Sequence, residues 1–239
     1  MITKIREFFM CRSINMWKRV NVANSTKSKK VFDRLVKDDC CIVRRCVARN
    51  GHIEHLRMLI NDTDTIVVQL IAERGIDEFL DILVSHHDRD VRESVANCGR
   101  NRHLDILVND CEWTVRRCVA EHGRPKDLDI LINDPDYLVR QEVANFNIPE
   151  YLDILVYDNN SSVRAAVANH PYNKYLDILI HDESPVVRKS VLNKHSRPDD
   201  IIALINDPDK STRMLARKLL VKLDYHIEIG EYHKWTEKE

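Results

Sequence analysis

A chain of 239 residues that is 44% hydrophobic and 31% charged, with a formal net charge of −1, has the make-up of a folded soluble protein and excludes a disordered or membrane-spanning class, since no apolar run approaches the roughly 18 residues a spanning helix needs. Five glycines disfavour phosphate-cradling loops and turn-rich β architectures, which leaves an all-helical chain. Seven cysteines, without the paired spacings of a disulfide framework or a zinc site, fit a reducing compartment, so a cytoplasmic location is expected.

Residues 1–30 carry Lys4, Arg6, Arg12, Lys18, Arg19, Lys27, Lys29 and Lys30 against the single acid Glu7. We read this stretch as a basic N-terminal cap and degenerate first repeat. It is not read as a targeting peptide, because Arg19 and Ala23-Asn24 already follow the pattern of the rest of the chain. Ile5, Phe8, Phe9 and Trp17 are its expected cap-packing residues.

From residue 31 to 216 the chain repeats itself. Val43-Arg44, Val67-Val68, Val91-Arg92, Val115-Arg116, Val139-Arg140, Val163-Arg164 and Val187-Arg188 recur every 24 residues. Thr212-Arg213 follows 25 residues after the last of these and Lys18-Arg19 stands 25 before the first. Four residues after each arginine position comes Ala48, Ala72, Ala96, Ala120, Ala144, Ala168 or, once, Leu192, each preceded by Val or Ile. Residues four apart share a helix face, and the small residue admits a close neighbour, so this half predicts helix A, about ten residues and about 15 Å long. The second half is LDILV or a relative, with copies starting at Phe32, Leu56, Leu80, Leu104, Leu128, Leu152, Leu176 and Ile201. Leu152, Leu155 and Val156 give the stripe of a short helix B, about seven to nine residues. Cys40, Asp64, Asp88, Glu112, Asp136, Asn160, Ser184 and Asp209 occupy the expected N-cap of helix A, and most are good capping residues. Pro185 falls where a first-turn proline is harmless.

Neither helix can bury its apolar face alone, so stability must come from stacking one repeat on the next. The expected fold is an all-α solenoid of about eight two-helix repeats. A C-terminal cap is expected over residues 217–239, with Leu219, Leu220 and Trp235.

The stretch NDPDYLVRQEVANFNIPEYLDIL, residues 133–155, resembles the leucine-rich repeat variant family, whose units of similar length read D-P-x-x-x-V-R-x-x-V-A followed by a leucine-rich second element. HEAT-like repeats are the nearest broader relatives. The resemblance covers residues 31–216 and is tighter in the VRxxVA half. It implies a right-handed superhelix in which an α-helix alternates with a second helix that can be 3₁₀. It also implies a binding scaffold more than a chemistry. Members of that family can carry an N-terminal iron-sulfur module. Here Cys11, Cys40, Cys41 and Cys46 lack a C-x2-C core, and Cys46 recurs in phase as Cys118, so core thiols are expected and a cluster is not.

In a solenoid each repeat position becomes a column. The arginine column could track a phosphate backbone. Each arginine from Arg44 to Arg188, however, follows a core valine and has a helix-B aspartate eleven positions earlier, which predicts a structural ladder pairing Asp33 with Arg44, Asp81 with Arg92, Asp105 with Arg116, Asp129 with Arg140, Asp153 with Arg164 and Asp177 with Arg188; Arg213, with Ile202 eleven positions earlier, breaks the rule. Where the arginine is lost, at Val68, the aspartate is lost too, at Arg57. A second acid column, Asp38, Asp62, Asp110, Asp134, Asp158, Asp182 and Asp207, is expected to bond free amides at the next helix start. His86 and His87 interrupt it beside Asp88, and no further ligand group at suitable spacing makes them a metal site.

The column just before the helix-B leucine holds rings, His55, Phe79, His103, Tyr151 and Tyr175, with Asp127 in one copy. If it faces outward it offers a partner regularly spaced flat groups, and these five are the candidate partner contacts. The other reading has the rings filling the groove between consecutive B helices. The expected function is a non-enzymatic scaffold for another protein. The alternative is nucleic-acid binding through Lys27, Lys29, Lys30 and the exposed bases Arg45, Arg117 and Lys189, with the rings as a stacking platform. No catalytic constellation stands out of the repeat, no cofactor or metal is expected, and the oligomeric state stays open.

Overall fold

The computed structural model describes residues 15–170, 173–195 and 197–228, and every regular element among them is an α-helix. The chain divides after His122 into two compact units. The first holds α1 (Met16–Ser25), α2 (Lys29–Leu35), α3 (Cys41–Asn50), α4 (Ile53–Leu59), α5 (Thr65–Ala72), α6 (Asp77–Leu83), α7 (Arg89–Asn97), α8 (Asn101–Leu107) and α9 (Trp113–Glu121). The second holds α10 (Pro125–Leu131), α11 (Tyr137–Asn145), α12 (Pro149–Leu155), α13 (Ser161–Ala168), α14 (Asn173–Leu179), α15 (Pro185–His195), α16 (Pro198–Leu204) and α17 (Lys210–Glu228). Odd-numbered helices are the A halves of the repeat and even-numbered ones the B halves. Each B half is an α-helix of 7 residues, where the family resemblance also allowed 3₁₀ geometry.

The A helices begin where the capping column places them. Asp64, Asp88, Asp136 and Asn160 each accept the backbone N–H two residues on, at 2.8–3.0 Å. One such bond contributes about 1 kcal/mol. Cys40 and Glu112 sit at the same position without it. Four A helices, α5, α7, α9 and α11, are followed by a left-handed residue, Gly75, Gly99, Gly123 and Asn147, with φ between 57° and 67°, the conformation that closes a helix and that glycine and asparagine tolerate best.

The side chain just before that residue then reaches back to the end of the preceding A helix. Arg74 donates to the carbonyls of Ala48, Arg49 and Gly51, and the Cys98 thiol to Ala72. His122 Nε2 lies 2.8 Å from the Ala96 carbonyl. Carbonyls that a helix end leaves unsatisfied are thus met by the following repeat.

Stacking buries what the periodicity marked. In the first unit Val91, Val95, Ala96 and Leu104 are wholly inaccessible, and in the second Val139, Val143, Ala144, Leu152, Val163, Val167 and Ala168 are too. Burying one valine or leucine stabilises by about 1.5–3 kcal/mol, and the alanines let consecutive A helices approach closely. At the ends, α17 runs through residue 217 without a break, with Leu219 and Leu220 half-buried. Trp17 is 64% exposed and does not pack as expected. Ile5, Phe8, Phe9, Cys11 and Trp235 lie outside the described residues. No helix among the described residues is long and apolar enough to cross a membrane.

Candidate binding surface

The arginine column is a ladder, but its partners are not the ones the spacing suggested. Arg44 donates from Nε and Nη2 to the two carboxylate oxygens of Asp62, and Arg92 does the same to Asp110, all at 2.6–2.9 Å. In the second unit Arg140 pairs with Asp158, Arg164 with Asp182 and Arg188 with Asp207 in the same geometry. The third nitrogen, Nη1, turns to the preceding turn. Arg140 Nη1 donates to the carbonyls of Asp134 and Pro135, and Arg116 Nη1 to those of Asp110 and Cys111. Arg44, Arg92, Arg140, Arg164 and Arg188 therefore each tie together the two turns that flank their own repeat.

The turn aspartates also do what the sequence reading expected of them. Asp62 accepts the Asp64 amide, Asp110 that of Glu112, and Asp158 that of Asn160, at 2.8–2.9 Å. Burial by itself would raise the Asp158 carboxyl, but the hydrogen bonds from Arg140 and the Asn160 amide outweigh it and hold the group below its ordinary value. The same balance holds Asp62 and Asp110 down. For Asp207 the Arg188 hydrogen bond is the largest influence, and it acts in the same direction. At the one repeat where Val68 replaces the arginine, His86 stands in the acid's place, and its Nδ1 accepts the Asp88 amide. That bond gives His86 a turn-forming role.

The helix-B aspartates Asp33, Asp81, Asp129 and Asp153 were expected to meet those arginines and instead meet the ring column, while Asp177 meets neither. His55 Nε2 lies 2.9 Å from Asp33 and His103 Nε2 2.8 Å from Asp81. The Tyr151 hydroxyl lies 2.8 Å from Asp129 and that of Tyr175 3.0 Å from Asp153. Asp177 takes Arg197, which also holds buried Asp200. Asp105 likewise sits exposed on its B helix. The reason is helical geometry. The aspartate follows the core leucine by one residue and stands on the open side of helix B, next to the following B helix and away from helix A.

The ring column is therefore not a free contact surface. His55, Phe79, His103 and Tyr175 are 0–2% exposed and Tyr151 is half-buried. They fill the groove between consecutive B helices and leave only their polar tips at its rim. Burial and the Asp129 carboxylate push the Tyr151 phenol up to about 12. Phe79, the one ring of the column without a polar tip, follows Arg57, which stands in the aspartate's place. Arg57 bonds Glu78 instead.

The candidate bases for nucleic acid are mostly occupied. Arg45 pairs with Asp64 at 2.8 Å, Arg117 with Glu121 at 3.2 Å and Lys29 with Glu54 at 3.1 Å, while Lys189 bonds the Ser211 hydroxyl. Lys27 and Lys30 are exposed. Cys46 and Cys118, in phase, are both buried, and burial raises both thiols, Cys118 to about 12. Cys40 and Cys41 are half-buried at the start of α3. Among the described residues no group of three or more His, Cys, Asp or Glu side chains is placed to hold a metal ion.

What remains open on the B helices is a column the sequence reading passed over, the residue after the aspartate. Met58, Ile82 and Ile106 in the first unit are 52–56% exposed, and Ile130, Ile154 and Ile178 in the second are 43–57% exposed. Its signal lay in the pattern itself. If Leu152, Leu155 and Val156 form the buried stripe, Ile154 falls on the opposite side of the helix.

No family model and no curated protein matches the chain. Among solved structures, a leucine-rich repeat variant with a novel repetitive structural motif is similar over 82% of this chain and 88% of that one, at 27% identity and a TM-score of 0.65. Two engineered proteins align over 92% of this chain and 98% and 96% of theirs, at 14% and 16% identity. Their TM-scores of 0.24 and 0.21 are too low to bear on the fold. The structural likeness agrees with the helical repeat solenoid read from the sequence and with its resemblance to a leucine-rich repeat variant.

Proposed function

We propose that this repeat solenoid is a non-enzymatic scaffold that binds another protein along the exposed face of its B helices. The observation that carries the reading is the column of half-exposed aliphatic side chains. A soluble surface scatters apolar residues singly, whereas here they recur, about half exposed, at one position of repeat after repeat, with no described element folded over them. Support for binding over chemistry comes from where the reactive side chains are spent. The Asp, Arg, His and Tyr columns engage one another, and the buried thiols are held protonated. The nucleic-acid reading draws less support, because Arg45, Arg117 and Lys29 are matched by acids.

The test compares the full chain with a variant carrying Ile154→Ser and Ile178→Ser. Both sites are exposed, so folding should survive, as checked by circular dichroism. Each protein is used as bait in its native cell after crosslinking, with protein and nucleic acid both identified. A protein partner recovered by the parent and lost from the variant supports the scaffold. Recovery that is indifferent to the substitutions, or recovery of nucleic acid alone, overturns it.

A further inference from the structure

The arginine ladder ends on an open rung. In Arg44, Arg92, Arg140, Arg164 and Arg188, Nη1 donates to two carbonyls of the preceding turn. Nε and Nη2 of each hold both oxygens of one aspartate. Arg213, in α17, keeps the first half of this arrangement, since its Nη1 donates to the carbonyls of Asp207 and Pro208. The second half is missing. Nε and Nη2 of Arg213 have no partner among the described residues, and the side chain is only half-buried.

The cause lies in α17. The inner repeats turn after helix A into a B helix and bring the next turn aspartate back to the arginine. α17 instead runs unbroken from Lys210 to Glu228, so no described turn returns a carboxylate to this fork. With Nη1 anchored, the fork is already oriented, and a carboxylate gains two charge-assisted bonds without first ordering the side chain. α17 also bars a further repeat. Where the inner copies carry a close-packing alanine, from Ala48 to Ala168, it carries Arg217, which is exposed. A second copy stacked as a ninth repeat would meet that bulky cation. The other end of the chain supplies no acid for it either, since residues 1–30 hold the single acid Glu7.

The surroundings of the fork carry the matching charge. Lys210, Met214, Lys218 and Val221 are spaced by four, four and three residues, so they share one face of α17, with Lys222 beside it. All five are exposed, Met214 by 62% and Val221 by 67%. None of the three lysines has a hydrogen-bond or ion-pair partner among the described residues.

We propose that this end of the solenoid receives an acidic segment of a partner protein, with one carboxylate in the Arg213 fork, further acids facing Lys210, Lys218 and Lys222, and aliphatic side chains against Met214 and Val221. The ligand class is read from the equivalents, where the same two nitrogens take a carboxylate in Arg44, Arg92, Arg140, Arg164 and Arg188. A phosphate also matches a guanidinium fork. Two exposed aliphatic side chains among the lysines favour an acidic peptide with apolar residues, because a nucleic-acid backbone has nothing to pack on them. The surface is distinct from the B-helix face, and the inference stands without it.

The experiment titrates the full chain into a short fluorescein-labelled peptide repeating Leu-Asp-Glu, read by anisotropy. Controls are the same peptide with Asn and Gln in place of Asp and Glu, and a single-stranded oligonucleotide of equal charge. Circular dichroism and thermal melts check that each variant folds. Saturable binding of the acidic peptide is expected. It should weaken by about tenfold with Arg213→Lys, which keeps the charge and loses the fork. It should weaken several-fold with Met214→Ser and Val221→Ser together, or on raising salt from about 0.05 to about 0.3 M. It should stay unchanged with Lys27→Ser and Lys30→Ser, exposed bases of the first unit.

No saturable binding, equal binding of the amide peptide or of the oligonucleotide, or full affinity in a folded Arg213→Lys variant overturns the proposal. If Arg213→Lys does not fold, Lys218→Glu with Val221→Ser, both at exposed positions, takes its place, and unchanged affinity there overturns it. Tighter binding by a chain carrying Glu231→Gln, Glu237→Gln and Glu239→Gln would mean that its own last residues fill the fork, and overturns it as well. None of these outcomes touches capture through Ile154 and Ile178, so the scaffold reading is tested separately.

Discussion

Arg140 donates from Nε and Nη2 to the two carboxylate oxygens of Asp158, at 2.6 and 2.9 Å, from one repeat's A helix to the turn that closes the same repeat. Its Nη1 meanwhile holds the carbonyls of the turn before. The pair is a bidentate, largely buried strut. Removing either partner strands the other, so Arg140→Ala or Asp158→Ala should cost about 3–5 kcal/mol. Arg140→Lys, which keeps the charge but loses the fork, should cost less, about 1–2 kcal/mol. A double-mutant cycle read by urea unfolding should give strong coupling between Arg140 and Asp158 and near-additivity between Arg140 and Asp129. Coupling to Asp129 instead would restore the pairing that the sequence spacing suggested.

That spacing misled for a reason inherent in repeats. In a strictly periodic chain every column keeps a fixed offset from every other, so the offset cannot say which two columns touch. Only broken copies carry that information. Val68 can be matched with Arg57 eleven residues before it or with His86 eighteen after, and the structure selects His86. Arg57 then belongs with Phe79, the ring that has no donor for an aspartate. The backbone plan was legible because capping residues, the valine face and the close-packing alanines act within one repeat. The contact columns were not, because whether a B-helix side chain faces its neighbour or solvent depends on how the next copy stacks against it. Ile154 could have been placed outside from the Leu152, Leu155 and Val156 stripe alone, whereas the burial of His55 and Tyr175 needed that neighbour.

The same struts set the response to acid. Asp62, Asp110, Asp158 and Asp207 are held below the ordinary carboxylate range in the folded chain, while in the unfolded chain they titrate near about 3.9. At pH values around and below that figure the unfolded chain binds more protons than the folded one, so stability rises with pH there. The struts' contribution is complete above the unfolded value and is lost as pH falls through the folded values. The urea midpoint should therefore be flat from neutral pH down to about 5 and drop steeply below about 4. Asp158→Asn should lower the plateau and soften the drop. A midpoint that falls between pH 7 and 5 would point to histidines, not these aspartates.

Tyr175 separates a packing role from a contact role. Its ring is 2% exposed and its hydroxyl lies 3.0 Å from both Asp153 and the Pro149 carbonyl. Tyr175→Phe keeps the ring and should cost about 1 kcal/mol, while Tyr175→Ala opens a cavity and should cost about 3–5 kcal/mol. With folding intact, Tyr175→Phe should leave partner capture unchanged, in contrast to the Ile154 and Ile178 pair. A loss of capture by Tyr175→Phe at unchanged stability would return the ring column to the binding surface.

Gly75 and Gly123 share a repeat position and a left-handed backbone, with φ of 63° and 64°, yet they should respond differently to alanine. A Cβ at Gly75 would meet nothing within 4 Å, whereas at Gly123 it would stand 2.3 Å from Cε1 of Phe146. Phe146 is the residue just before the next helix-ending position, lying over the turn as His122 does over Gly99. Gly75→Ala carries only the conformational penalty, about 1–2 kcal/mol. Gly123→Ala adds the displacement of an aromatic ring wedged between repeats and should cost at least about 1–3 kcal/mol more. The difference should shrink in a Phe146→Ala background, because the ring that clashes is gone, and thermal melts of the four proteins measure it directly. Equal losses at the two glycines would mean that Phe146 moves aside freely and does not hold the stack.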